Sequence, residues 1–226
     1  MLTPQENTEG RAIRLASAFS VVSAIALAVI TLGWAGVLEH GTRALWSLRF
    51  ELLSLDPSDE IIVVDIDARS LQEVGVWPWP RRKYAGLVDK LAVSGAEQIA
   101  FDIDFSSAST AEDDAAFANA MDKLGGSVSL AMFRQKAAQT GAGETGWIVN
   151  QPIQQFMDVS WPVIVSVPIE ADGKVWRGLW GDFINGTAEL SLPALLGDAS
   201  GVPGETFWID YGIDPKKLQI VSFVDV

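Results

Sequence analysis

Apolar and polar positions split the chain into an uncharged helical start and a remainder of short alternating elements. After ten polar residues, Arg11 and Arg14 precede Leu15–Leu38, which is 24 residues without a charge. As a helix rising 1.5 Å per residue this stretch spans about 36 Å, enough for a hydrocarbon core of about 30 Å. Trp34 near its far end suits an interfacial position. A cleaved signal peptide carries an apolar region of about 7–15 residues, so the pattern predicts a retained transmembrane helix over 15–38 after a cytoplasmic tail over 1–14. Arg11 and Arg14 on one side and Arg43 and Arg49 on the other orient it only weakly. The acidic bulk downstream, with few early Lys or Arg residues, places the N-terminus inside and the remainder outside.

A juxtamembrane segment over 39–57 follows, with a helix over 41–55 ended by Asp56-Pro57. Leu45, Leu48, Leu52 and Leu55 are spaced 3, 4 and 3, the seam of a short coiled coil. Two readings are open: the helix packs on its own domain, or it forms a homodimer stalk through those four leucines.

From residue 58 the pattern alternates. Ile61–Asp67 is an apolar strand and Ala68–Val74 a helical turn closed by Gly75. In Trp77-Pro78-Trp79-Pro80 each proline fixes its own φ and pushes the preceding Trp into an extended conformation, giving a stiff corner with two large rings. Pro80 opens a helix over 80–94 with Tyr84, Leu87, Val88, Leu91 and Ala92 on one face. A second apolar strand, 98–105, completes a crossover. Ser109 with Glu112, and more weakly Thr110 with Asp113, has capping-box spacing before a helix lined by Phe117, Ala120, Met121 and Leu124. Ser127–Phe133 is a third strand, Gln135–Gly146 a surface loop and Ile153–Met157 a short helix. Asp172-Gly173 between apolar runs predicts a hairpin over 161–180. Leu190–Leu196 is a short helix interrupted by Pro193, and Thr206–Tyr211 and Leu218–Val224 are late strands. The expected fold class is α/β: a mixed central sheet with a parallel βαβ core and a hairpin-rich second half, preceded by one transmembrane helix. The chain stops at Val226 in or just after an apolar run, as expected of a C-terminally incomplete domain over 58–226.

Composition narrows the chemistry. A net charge of −13 and a pI of about 4.4 exclude a nucleic-acid partner and disfavour adsorption on an anionic membrane surface. Residues 41–226 alone hold 26 acids against 14 bases. The absence of cysteine excludes disulfides, thiol catalysis and cysteine-ligated zinc, and the single histidine, His40, excludes multi-histidine metal sites. No cofactor is expected.

Two strands end in Asp-Ile-Asp, so Asp65, Asp67, Asp102 and Asp104 sit where open α/β sheets place their sites. An apolar strand followed by Asp-x-Asp resembles the nucleophile motif of haloacid-dehalogenase-type phosphatases, which implies a Mg-dependent enzyme as one alternative. Here Ala68-Arg69-Ser70 follows instead of Gly-Thr. Four carboxylates at neighbouring strand ends repel unless a cation joins them, and Arg81 is the residue expected to tie down Asp65 or Asp102. Asp67 and Asp104 are also placed to cap the helices that follow. The nine tryptophans read mainly as core.

The order of these signals resembles the extracytoplasmic CHASE domain of the second type (cyclases/histidine kinases associated sensory extracellular). The match is carried by the anchor, IIVVDID, GVWPWPRRKYAGLVDKL with Gly75, Trp77, Pro78, Pro80 and Arg81, GAEQIAFDIDF, the Asp113-Asp114 helix, DGKVWRG, Leu190-Ser191-Leu192-Pro193, FWIDYG and IVSFVDV. It covers roughly residues 35–226 and implies a sensor in the cell inner membrane with its domain in the periplasm. That sensor would take an extracellular small-molecule or protein ligand and regulate a cytoplasmic cyclase, diguanylate cyclase/phosphodiesterase or kinase absent from this chain. The second alternative to it is a structural envelope protein.

Overall fold

The computed structural model describes residues 4–34, 37–136 and 147–226. Two compact units divide the chain: Met1–Pro57 with Asp210–Lys217, and Ser58–Ile209 with Leu218–Val226.

The first unit holds helices α1 (Pro4–Trp34) and α2 (Val37–Leu52). Phe19, Val21, Val22, Ile25, Leu27, Val29 and Ile30 of α1 are each more than half exposed. Among the described residues no helix is long and apolar enough to cross a membrane. The uncharged stretch 15–38 runs through residues 35–36, which lie outside the described residues. Helix α2 ends at Leu52, three residues short of the expected end. Leu53 N–H still donates to the Arg49 carbonyl at 2.8 Å, but Leu55 has left the helix and pairs in parallel with Ile213. Its N–H donates to the Gly212 carbonyl at 2.7 Å and its carbonyl accepts from Asp214 N–H at 3.0 Å. Pro57 disfavours helical backbone at Asp56, and the 210–217 segment supplies the alternative partners.

The second unit runs β1 (Ile62–Asp65), α3 (Ala68–Val74), α4 (Arg81–Val93), β2 (Ile99–Phe101), α5 (Ala111–Asp122), β3 (Val128–Lys136), β4 (Trp147–Asn150), α6 (Gln154–Met157) and β5 (Trp161–Ile164). It continues with β6 (Arg177–Leu179), β7 (Gly181–Ile184), β8 (Thr187–Leu190), α7 (Leu192–Leu196), β9 (Thr206–Trp208) and β10 (Gln219–Ser222). The mixed α/β class is observed, and its parallel core is β2, β3 and β5, with Ile99 opposite Val128 and Ser129 opposite Trp161. Helix α5 makes the βαβ step from β2 to β3. The antiparallel β4 adds to the far half of β3, with Phe133 opposite Asn150.

The expected crossover from the first apolar strand to the second is not where the parallel pairing lies. β1 instead pairs in parallel with β10, Ile62 opposite Gln219. In this two-stranded sheet Ile62 and Val63 stay exposed, so the apolar run is not covered on both faces as its composition suggests. A tight turn does form at Glu170–Lys174, where Glu170 N–H donates to the Lys174 carbonyl at 2.9 Å, but its flanks do not pair with each other. β5 joins β3, and β6 joins β9 antiparallel. The hairpin of this half is β7–β8, turned by Asn185 and Gly186 at φ 50° and 84°, the pair of left-handed residues a type I′ turn needs. Pro193 does not interrupt α7. It sits in the first turn, where no N–H partner is lost, behind the Ser191 cap. The loop expected over 135–146 lies outside the described residues from 137 on.

The main core is an aromatic cluster between α4, α5 and the sheet. Tyr84, Phe105, Phe117 and Phe156 are fully buried, with Phe101, Val88, Met121 and Leu130 around them. Ring centroids of 5.1–5.4 Å link Phe105 to Phe117, Tyr84 to Phe105 and Phe117 to Phe156, inside the range where aromatic pairs attract. The tryptophans are less uniformly core than their number suggests: Trp79 and Trp176 are buried, whereas Trp77, Trp161 and Trp208 are more than a third exposed.

Candidate functional site

The corner before α4 forms as its sequence dictates. Gly75, at φ 108°, closes α3 in a backbone conformation that costs a glycine little. The Trp77–Pro78 peptide bond is cis. Trp79 turns into the core, its indole N–H donating to the Gly75 carbonyl at 2.8 Å and its ring 4.7 Å from Phe223. Trp77 packs on its outer side at 5.5 Å. Pro80 then sets the N-terminus of α4 and delivers Arg81 and Arg82 at its first turn.

These two arginines meet acids of α5, not the strand-end acids. Arg81 lies 3.8 Å from Asp114 Oδ1, with both side chains almost fully buried, and Arg82 pairs with Asp113. The expected tie from Arg81 to Asp65 or Asp102 is therefore corrected. The Arg81 guanidinium also donates to the Ser107 carbonyl at 3.1 Å and lies 4.6 Å over the Phe105 ring, a cation–π contact. Asp114 Oδ2 accepts from Ser109 N–H at 2.8 Å, while Thr110 caps α5 by accepting from Asp113 N–H. The weaker of the two capping pairs is thus the one that supplies the cap. Arg82, then the Thr110 hydroxyl, hold the Asp113 carboxyl below its ordinary value.

The clasp is incompletely hydrogen-bonded. Arg81 Nε, Asp114 Oδ1 and the Tyr84 hydroxyl are buried and make no hydrogen bond. Burial pushes the Tyr84 phenol up to about 12, against the opposing pull of Arg81.

Two of the four strand-end acids, Asp67 and Asp104, have separate local roles. Asp67 caps α3, accepting from Ser70 N–H at 2.7 Å and from the Ser222 hydroxyl at 3.0 Å, and the Ser70 and Ser222 hydroxyls lie 3.0 Å apart. The Ser70 amide and hydroxyl, then Ser222, hold its carboxyl low. Asp104 accepts from Ser106 N–H at 2.8 Å in a turn and is not the cap of α5. Among the described residues no three His, Cys, Asp or Glu side chains are placed to hold a metal ion.

Two further sets of residues were not brought together by the sequence reading. At the carboxyl ends of β3 and β5, Arg134 pairs with Asp182 of β7 at 2.6 Å, and its N–H donates to the Ser166 hydroxyl at 3.1 Å. The cavity there, floored by Met132, Ile164 and Ile184, is about 10 Å³, the size of one water. In the first unit, Arg49 of α2 donates to Asp210 at 3.0 Å, and Phe50 meets Tyr211 edge-on at 6.0 Å. Gly212 N–H, then Arg49, hold the Asp210 carboxyl low. The Asp-Tyr-Gly triplet at 210–212 was legible as the end of a strand and of the FWIDYG stretch that carries the resemblance, but nothing local announces the Arg49 segment as its partner.

A family model described as the CHASE2 domain matches residues 24–226. No curated protein and no solved structure matches the chain.

Proposed function

The chain belongs to the CHASE2 domain family, and from that premise we propose that residues 58–226 are the periplasmic signal-sensing module of an inner-membrane receptor. The uncharged stretch Leu15–Leu38 is its anchor, residues 1–14 its cytoplasmic tail and residues 39–57 the link between them. The module carries no reaction of its own. It regulates a cytoplasmic cyclase, diguanylate cyclase/phosphodiesterase or kinase elsewhere in the receptor, in response to an extracellular small-molecule or protein ligand. A ligand acts by binding one domain arrangement more tightly than another. Arg81 on Asp114, and Asp67 as the cap of α3, serve to brace the module.

The observation that carries this reading is the extent of the match, which begins inside α1 and reaches residue 226. Juxtamembrane helix and sensor are thus one family unit. A route for the signal is supported by the contacts of residues 49–56 with Asp210–Lys217, the segment that leads directly into β10: Arg49 to Asp210, Leu55 to Gly212 and Asp214, and Lys217 to Asp56. In the receptor with its output domain, Arg49→Asp and Asp210→Arg each shift basal output, and the double exchange moves it back. Output unaffected by all three refutes the route.

A further inference from the structure

We infer that the hollow beside the β7–β8 hairpin is a site for a short-chain aliphatic carboxylate, which takes the place of Asp182 on Arg134. It lies where the parallel pairing of β3 with β5 ends, at Met132 opposite Ile164. That is the carboxyl end of the strands, where open α/β sheets place their ligands. Met132, Ile164 and Ile184, all buried, form its floor, and Arg134, Ser166 and Asp182 stand round it. An apolar floor with a few polar groups converging on it is the usual make-up of a small-molecule pocket. The hollow, about 10 Å³, holds one water-sized group, which limits the apolar end of the ligand to one or two carbons.

The polar groups select an anion. Asp182 uses both carboxylate oxygens inside the chain: Oδ2 accepts from Arg134 at 2.6 Å and Oδ1 from Phe183 N–H at 2.7 Å. An ammonium or metal ion therefore finds both already engaged. Donors remain. The Arg134 guanidinium gives one N–H to Asp182 and one to the Phe183 carbonyl, two of the five that it carries. Its backbone N–H donates to the Ser166 hydroxyl at 3.1 Å, which leaves that hydroxyl its own hydrogen to give. The guanidinium fork matches the two oxygens of a carboxylate. Asp182 itself shows the fit, since its side chain is a carboxylate on a single methylene. A free acetate or propionate makes the same contact and adds a methyl for the floor, whereas a hydrated inorganic anion gains nothing from apolar surface. The pair that is exchanged is open to water, with side chains 34% and 24% exposed, so giving it up costs little. The exchange also releases the Asp182 end of the hairpin from β3. This inference deepens the sensor reading by naming a ligand class, and rests on that reading only for the use made of the ligand.

Binding is read on the purified full chain in detergent, without any output, so its failure leaves the sensor reading standing. The probes are sodium acetate and sodium propionate, with methylammonium chloride as the cation of matched size. Saturation transfer from the protein to the methyl group of each probe is expected to titrate with a dissociation constant of about 1 mM, within the ceiling for ligands of so few heavy atoms. Arg134→Gln is expected to weaken binding roughly tenfold or more. Arg134→Lys, which keeps the charge without the fork, weakens it less. Asp182→Asn removes the competing carboxylate and is expected to tighten binding roughly threefold or more, a gain that a misfolded chain cannot give. Transfer to acetate and propionate no greater than to methylammonium overturns the ligand class. Binding that Arg134→Gln leaves unchanged overturns the site, and binding that Asp182→Asn leaves unchanged or weakens overturns the exchange.

Discussion

Replacing Asp114 by alanine leaves the Arg81 guanidinium in place with its counter-charge gone. Its side chain is 9% exposed and held by the Ser107 carbonyl and the Phe105 face, so it cannot swing into water without emptying the core beside α4. At 3.8 Å and an effective dielectric of about 20, the gross attraction lost is about 4 kcal/mol. Removing one member of a buried ion pair costs about 3–5 kcal/mol, which is the expectation for Asp114→Ala. The Ser109 N–H loses its acceptor in the same variant. Arg81→Met with Asp114→Leu removes both charges. That double variant is expected to cost less than the sum of the two singles, with a coupling of about 1–3 kcal/mol. Denaturant unfolding of the detergent-solubilised chain, followed by tryptophan fluorescence, measures all four corners of the cycle. An Asp114→Ala cost below about 1 kcal/mol, or strictly additive singles, refutes the clasp as the brace between α4 and α5.

The remaining predictions concern the same core and its surroundings. Tyr84→Phe removes a buried hydroxyl that has no partner, so stability rises by about 1 kcal/mol in the same unfolding assay; a loss of that size shows that the hydroxyl is satisfied. Asp67, Asp113 and Asp210 all have carboxyls held below the ordinary 3.8. The folded state therefore binds fewer protons than the unfolded one, and their contribution is complete above that value and lost as pH falls below it. Unfolding midpoints measured down from pH 6 should hold to about pH 4 and then drop, and Asp113→Asn should flatten the drop. Gly181→Ala places a Cβ 2.3 Å from the Glu189 carbonyl in the β7–β8 hairpin, and about 1–3 kcal/mol is lost, unlike Gly86→Ala, which meets open space.

Local chemistry explains which parts of the fold were legible in the sequence. The corner, α3 with its Gly75 stop, and the buried faces of α4 and α5 follow from residue spacing alone, and each is present. Strand pairing was not legible, because the partner of β1 is β10, more than 150 residues away. An apolar strand does not name its neighbour. The Asn185-Gly186 signal was in the sequence, but Asp172-Gly173 drew the hairpin instead, though that turn joins residues that pair elsewhere. The candidate site shows the same division. Arg81 was expected to tie down Asp65 or Asp102, and the structure pairs it instead with Asp114 in the first turn of α5. Two adjacent acids there, Asp113 and Asp114, fit adjacent arginines in the first turn of α4. Strand-end position favoured Asp65 and Asp102, but the helix pairing sets the geometry.

The central claim is that residues 58–226 face outward from the inner membrane, and labelling tests it most directly. Val93 is 90% exposed on a chain without cysteine, so Val93→Cys is a lone accessible thiol. In intact cells with a permeable outer membrane, a membrane-impermeant maleimide is expected to label it to the same extent as after lysis. Labelling that appears only after lysis puts the domain in the cytoplasm and contradicts the account.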